Sequence, residues 1–273
     1  NRWWSESSDW RHGRLAPGGC GFLDLRLPGA VPTWHVRLDS RHMAFLKDHK
    51  VENMVIFPAA GFVEIALEVG AELFERKPFV IEDFEIRKPL ILPESTRHLL
   101  IQFSYDPAER TFSLQSQFEG GGAWSLHVVG SMRGERTESE FTETTWEGTK
   151  PGGLVDIPRD EFYGHMSDMG LRYGDEFRGL REIAAGGGKA AGIVALSPEI
   201  EGRAGEYKVH PVLFDAALHV FSASLKTVDG HSSRLRLPVR FARIAYYGSP
   251  GASGLVRAEV RHHNEEYVEG RIA

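Results

Sequence analysis

Between residues 58 and 78 the apolar positions Phe62, Ile65, Ala66, Val69 and Leu73 recur at three- and four-residue spacing, which predicts a helix with one apolar stripe. Glu64, Glu68 and Glu72 fall on another face at four-residue spacing. Pro58 suits the helix start because its missing N–H has no helical partner there. Gly70 is a mild penalty inside the helix, and Lys77-Pro78 marks its end. Upstream, Leu23–Leu27 and Trp34–Leu38 alternate with the period of half-buried strands. Downstream, Phe84–Ile86 and Leu90–Leu92 read as short strands broken by Pro89 and Pro93. Three longer strands follow, Leu99–Tyr105, Thr111–Phe118 and Trp124–Met132, separated by turn signals at Asp106-Pro107 and Gly120-Gly121-Gly122. A helix followed by an antiparallel meander predicts an α+β fold.

The pattern partly recurs after residue 153. There is a helix-like DEFYGHM (160–166), a Gly-rich turn at Gly186–Gly188, a strand at Ala191–Leu196, and a second proline-led helix at His210-Pro211. In that helix Leu213, Ala217, Val220 and Phe221 form the stripe, and strands Phe241–Tyr247, Leu255–Arg261 and Tyr267–Ile272 follow. This repeat of organisation predicts two related halves, 20–140 and 154–273. They are joined by a polar Thr/Glu-rich connector at 141–153 and preceded by a Trp-rich linker at 1–19.

The 273 residues, 41% hydrophobic and 26% charged, have the profile of a folded protein. A net charge of −6 with scattered basic residues argues against nucleic acid or an anionic membrane as partner. Cys20 is the single cysteine, which excludes an intramolecular disulfide and fits a reducing, cytoplasmic setting. No apolar run is long enough to span a membrane and no signal peptide is evident. A start at Asn1 implies a domain cut from something longer.

Asp215 and His219, four apart, share a helical face. Such a pair is commonly a solvated polar face, but Phe214, Ala216, Ala217, Leu218 and Val220 leave this helix apolar nearly all round, so it is expected to be buried. A buried carboxyl without a cationic partner is pushed upward and kept protonated, the state of a general acid. His49 lies just ahead of the first helix, whose open N–H groups can hold an oxyanion; as one of 12 histidines it is otherwise a surface residue. Tyr173-Gly174 alone reads as a turn with an aromatic anchor. GGGKAAG (186–192) lacks the spacing of a phosphate loop, His262-His263 has no partner at metal-ligand spacing, and no GxSxG is present. No metal site is expected.

Four motifs occur in order: HKVENMVIFP (His49 to Pro58) for HxxxGxxxxP, GLRYGDEF (Gly170 to Phe177) for GYxYGPxF, Asp215 to His219 for DxxxQ/H, and Leu237-Pro238 for LPxxx. On these the chain resembles the dehydratase domains of modular type I polyketide synthases, over nearly its whole length. Asn53 stands for the glycine of the first motif and Asp175 for the proline of the second; Asn is the residue next most tolerant of the positive φ a glycine there would supply. The resemblance implies a double hotdog fold, with His49 and Asp215 meeting between the halves. It implies dehydration of a 3-hydroxyacyl thioester, with His49 as base and Asp215 as acid. Tyr173, Gly174 and His219 would support Asp215. The N–H groups of Ala59, with Ala60 and Gly61, would hold the thioester oxygen at the helix start after Pro58. It further implies no cofactor, an acyl carrier protein bearing the substrate on phosphopantetheine, neighbouring synthase domains and a homodimer. A dehydratase that also cyclises or isomerises its product, or a silent scaffold domain, are the alternatives.

Overall fold

The computed structural model describes residues 21–27, 29–93, 99–118, 122–135, 152–228, 235–264 and 267–273. The expected linker at 1–19, Cys20 and most of the connector at 141–153 lie outside the described residues. The first part runs β1 (Leu23–Leu27), β2 (Thr33–Val36), α1 (Ser40–Leu46), β3 (His49–Val51), β4 (Met54–Val55), α2 (Ala59–Leu73), β5 (Phe79–Ile86), β6 (Leu99–Asp106), β7 (Thr111–Phe118) and β8 (Ser125–Gly134). The second runs β9 (Val155–Asp156), α3 (Arg159–Asp168), β10 (Leu171–Tyr173), β11 (Leu180–Gly186), β12 (Lys189–Ala195), α4 (Pro211–Lys226), β13 (Arg240–Tyr246), β14 (Ser253–His263) and β15 (Val268–Ile272).

Every ladder is antiparallel, and the fold is the expected α+β double hotdog. The larger sheet has the order β1-β2-β6-β7-β8-β5-β13, the second β15-β14-β12-β11-β9, and a small ribbon β10-β3-β4. Among the described residues two pairings join the halves. β13 pairs with β5, and β10 pairs with β3. Local periodicity carries no sign of either pairing.

Other departures from the sequence reading have local causes. β5 begins at Phe79, well before the expected Phe84, because Phe79, Val80 and Ile81 are all fully buried between β8 and β13. A strand buried on both faces shows no alternation. Leu90–Leu92 is no strand, only one bridge from Ile91 to Ile56; flanking Pro89 and Pro93 remove ladder donors. α1 was not expected. Seven residues are too few for a period, and its start is fixed by a reciprocal cap: Asp39 Oδ1 accepts from His42 N–H, and His42 Nδ1 accepts from Asp39 N–H.

α2 begins at Ala59 as expected but stops at Leu73, short of Lys77, and unwinds through Glu75 and Arg76 at positive φ. Gly70 earns its place by contact: a Cβ there would sit 2.3 Å from the Phe79 ring, so the glycine lets α2 lie against β5. In α4, Leu213, Ala216, Val220 and Ala223 are fully buried, with Ala217 and Phe221 half-buried. The helix rests on β12 through Gly192, where a Cβ would meet Val220 at 2.7 Å.

Two members of the acidic row of α2, Glu64 and Glu68, point inward, while Glu72 pairs with Arg26 at the surface. Glu68 accepts from the N–H groups of Phe22 and Leu23, and Glu64 from those of Lys208 and Val209. The two carboxyls therefore tie β1 and the approach to α4 onto one helix. Burial pushes Glu64 well above the ordinary carboxylate range and Glu68 up to about 7, with the negative charge of Glu68 adding to the rise at Glu64. A carboxyl raised by folding binds more protons in the folded chain than in the unfolded one, so stability falls as pH rises. The loss at Glu68 runs from about pH 4.5 to about 7. Glu68→Gln is expected to flatten the decline in thermal midpoint between about pH 4.5 and 7; an unchanged slope would show that Glu68 does not titrate there.

Candidate active site

His49 owes its position to alternation on β3: His49 and Val51 face inward while Lys50 faces out. β10 lies beside it with Tyr173 opposite His49. The chain then turns through β4, and Ile56 returns to His49 twice. Ile56 N–H donates to the His49 carbonyl at 3.2 Å, and His49 Nδ1 meets the Ile56 carbonyl at 2.8 Å. A carbonyl only accepts, so Nδ1 carries the hydrogen and Nε2 keeps its lone pair. That nitrogen faces Asp215 Oδ1 at 3.9 Å. Histidine and aspartate, one from each half, thus share one buried space.

Asp215 sits one turn into α4, whose start is fixed by Pro211 and by His210 Nδ1 accepting from Val212 N–H at 3.2 Å. The next turn brings His219 Nε2 to 3.0 Å from Asp215 Oδ2. The contact is an ion-pair distance off the ring N–H line, and neither atom makes an aligned hydrogen bond among the described residues. Tyr173 packs on both imidazoles, 5.7 Å from His49 and 4.5 Å from His219, and Phe177 lies 5.1 Å from His49.

Burial pushes His49 below the ordinary histidine range, against the pull of Asp215, so the ring is neutral at neutral pH. Burial acts to raise Asp215, yet the close approach of His219 and then of His49 outweighs it and holds the carboxyl below its ordinary value. This corrects the expectation of a carboxyl kept protonated by an apolar helix. Of the two imidazoles, His219 is the i+4 neighbour that the sequence shows, whereas His49 arrives from the other half of the chain. Tyr173 is pushed well above the phenol range by burial and then by Asp215, and keeps its proton.

The supporting residues act through close approach. At Gly174 a Cβ would fall 2.3 Å from the Asp48 carboxyl, and its N–H donates to the Asp48 carbonyl. Asp175 opens a 3₁₀ turn over Asp175–Phe177, a first position that suits proline but does not demand it. The positive φ of the β3–β4 turn falls on Glu52, not on Asn53. Asn53 instead accepts from Arg172 Nη1 at 2.7 Å, bracing the hairpin against β10. Pro58 precedes α2 without a side-chain cap. Ala59 and Ala60 therefore carry N–H groups with no intrahelical acceptor. The Gly61 N–H donates to the Pro58 carbonyl at 2.9 Å, so it is not an open donor as expected; the lack of a side chain there serves Phe57, whose ring a Cβ would meet at 2.7 Å.

A hollow of about 220 Å³ opens beside Tyr173 and Gly174, lined also by Asp48, Lys50, Asn53 and Arg172. Leu237-Pro238 lies in the segment leading to β13, where the Val239 carbonyl accepts from Ile86 N–H. No hydrogen bond or ring contact among the described residues joins it to His49 or Asp215. Tyr163, which the sequence reading passed over, reaches the site: its hydroxyl is 3.4 Å from His219 Nδ1. The one available sign was a tyrosine on the buried stripe Phe162, Tyr163, Met166 of α3.

The family described as polyketide synthase dehydratase domain matches residues 24–117, and that described as polyketide synthase dehydratase N-terminal domain matches residues 142–272. The chain is 31% identical over 254 residues to the mycoketide-CoA synthase of Mycobacterium tuberculosis, covering 92% of this chain and 6% of that protein. It is 32% identical over 221 residues to the spectinabilin polyketide synthase system protein NorA of Streptomyces orinoci, covering 77% of this chain and 11% of that one. The chain therefore spans only a small part of the curated relatives it matches. Among solved structures, the CurK dehydratase domain of the curacin polyketide synthase aligns with a TM-score of 0.77 at 25% identity, over 95% of this chain and 98% of that one. The CurF dehydratase domain aligns at 0.79 and 27%, over 92% and 91%. The family matches together reach from β1 to β15, and relatives and structures agree with them: the chain belongs to the dehydratase domains of modular type I polyketide synthases.

Proposed function

We propose that the chain removes water from a 3-hydroxyacyl thioester, with His49 as base and Asp215 as acid. One observation carries this reading: His49 Nε2, its lone pair freed by the Ile56 carbonyl, faces Asp215 Oδ1 across 3.9 Å. Nε2 takes the α-proton of the substrate. The electron pair of that C–H bond passes through the thioester enolate, whose oxygen charge is held by the N–H groups of Ala59 and Ala60 at the start of α2. The pair then forms the α,β double bond as the β C–O bond breaks, and the departing hydroxyl takes a proton from Asp215 Oδ1 to leave as water. His49 ends protonated and Asp215 ionised. Transfer of the proton from His49 to Asp215, through the released water, restores both groups.

Asp215 needs a proton at the moment of reaction. As an acyl chain fills the site it excludes water and strengthens the burial effect that raises a carboxyl, so Asp215 takes up a proton from solvent as the substrate enters. His219, Tyr173 and Gly174 hold Asp215 and β10 in place. The protein's part in the elimination is proton transfer. A histidine-to-phenylalanine and an aspartate-to-asparagine variant of the CurK dehydratase are both described as inactive, and this supports the same pair here.

The substrate is carried on the phosphopantetheine of an acyl carrier protein, beside neighbouring domains of a cytoplasmic synthase that pairs as a homodimer. Residues 20–140 and 154–273 form the two hotdog halves, with 141–153 connecting them and 1–19 leading in from the preceding domain. The test offers 3-hydroxyacyl pantetheine thioesters of both β-configurations, one of them with a distal hydroxyl, and follows the products by mass. Loss of one water to an enoyl thioester is expected. No loss with any substrate overturns the reading, and a heterocycle from the distal hydroxyl would favour a cyclising enzyme.

A further inference from the structure

Tyr163 of α3 is 3% exposed, and its hydroxyl stands between two polar groups. The N–H of Leu180 donates to the Tyr163 oxygen at 3.1 Å, and His219 Nδ1 lies 3.4 Å away. An N–H can only donate, so it occupies an oxygen lone pair and leaves the phenol O–H to point elsewhere. The guanidinium carbons of Arg159 and Arg178 each lie 5.5 Å from the ring centroid and hold the ring in place. Arg159 is itself anchored on the carbonyls of Leu180 and Arg178, and Arg178 on that of Tyr173.

We propose that Tyr163 is a positioning residue that donates its O–H to His219 Nδ1 and so directs the catalytic proton onto Asp215. With Nδ1 accepting, the neutral ring carries its hydrogen on Nε2, which faces Asp215 Oδ2 at 3.0 Å. A proton arriving at this cluster then has two destinations. On Nδ1 it would displace the Tyr163 hydrogen bond and lie on the far side of the ring from the substrate. On Asp215 Oδ1 it faces His49 and the reacting carbons. The Tyr163 O–H disfavours the first and leaves the second. The phenol stays protonated throughout the working range, since burial pushes it well above the ordinary phenol range despite the neighbouring guanidiniums. The other titratable groups facing His219 and Asp215 are His49 and Tyr173, while the charged Arg159 and Arg178 lie over the Tyr163 ring.

This inference rests on the dehydration reading, so its decisive readout does not need turnover. Histidine-selective ¹⁵N labelling of the wild-type domain is expected to show His219 as the Nε2–H tautomer, and Tyr163→Phe is expected to lose that preference. In Tyr163→Phe, kcat for dehydration is expected to fall about 10- to 100-fold, as when a hydrogen-bond partner behind a reacting group is removed. KM should change by less than about threefold, with the acid limb of the pH–rate profile displaced. A merely structural tyrosine would lower the thermal midpoint and leave the profile where it was. An Nδ1–H tautomer in the wild type overturns the proposal whether or not the variant folds, and so does an unchanged tautomer in a folded Tyr163→Phe. If the wild type shows the Nε2–H tautomer but dehydrates nothing, the failure lies with the reaction and not with Tyr163.

Discussion

His49→Phe is expected to lower kcat for dehydration of a 3-hydroxyacyl thioester about 100- to 10,000-fold, the usual contribution of a positioned general base. The substitution is chosen for its fit. His49 lies among the rings of Tyr173 and Phe177, so a phenyl group occupies similar space without polarity. The structural cost is the hydrogen bond to the Ile56 carbonyl, which leaves an acceptor without its donor and costs about 1–3 kcal/mol. Steady-state kinetics with a pantetheine thioester, alongside thermal melting, separates the two effects. A folded variant that keeps more than about a tenth of wild-type turnover would remove His49 from the reaction.

Asp215→Asn is expected to lower turnover over the same range, since an amide can accept from His219 but has no proton to give a leaving hydroxyl. Asp215 in the unliganded fold lies below its ordinary value because the pull of His219 and His49 exceeds the burial effect. The unfolded chain therefore binds more protons at low pH, and the carboxylate contributes stability above about pH 3.8 that is lost as pH falls through the folded value. Asn should melt below the wild type at neutral pH, with the gap closing in acid. A variant as stable as the wild type at pH 7 would mean that the carboxyl is already neutral in the free domain.

Much of the architecture is legible wherever burial is one-sided. The stripe of Phe62, Ile65, Val69 and Leu73 after Pro58 placed α2 to the residue at its start, and the flanking turn signals placed β7 at Thr111–Phe118. Where an element is enclosed, the pattern fails. Phe79–Ile81 shows no period because neighbours cover both sides, and Glu64 and Glu68 look like a polar face although their carboxyls serve backbone N–H groups inside. The two ends of the site were legible as motifs, yet the charge on Asp215 was not. That charge depends on His219 and on His49 from the other half, a neighbour no local window contains. Tyr163 was missed for a related reason: a tyrosine on a buried stripe reads as packing until the atom beyond its hydroxyl is known.

The two pairings that join the halves bear on the order in which the molecule assembles. Arg240 and Asp83, which meet across β13 and β5, are 157 residues apart, and Asn53 and Arg172 across the small ribbon are 119 apart. Pairings of such separation must close long loops before any contact rewards them, so they form late and slowly. The hairpins β6–β7 and β11–β12 close short loops and should form first. Catalytic competence would then be the final event of folding, because His49 gains its neighbour Tyr173 only when β3 and β10 join. Pulse-labelled hydrogen exchange is expected to protect the amides of those two strands last, with turnover rising on the same time course; early protection there would mean that the ribbon is a nucleus and not a seal. A nascent chain emerging from the ribosome would on this account pass the whole first half without a working site, gaining one only after its second half had folded back.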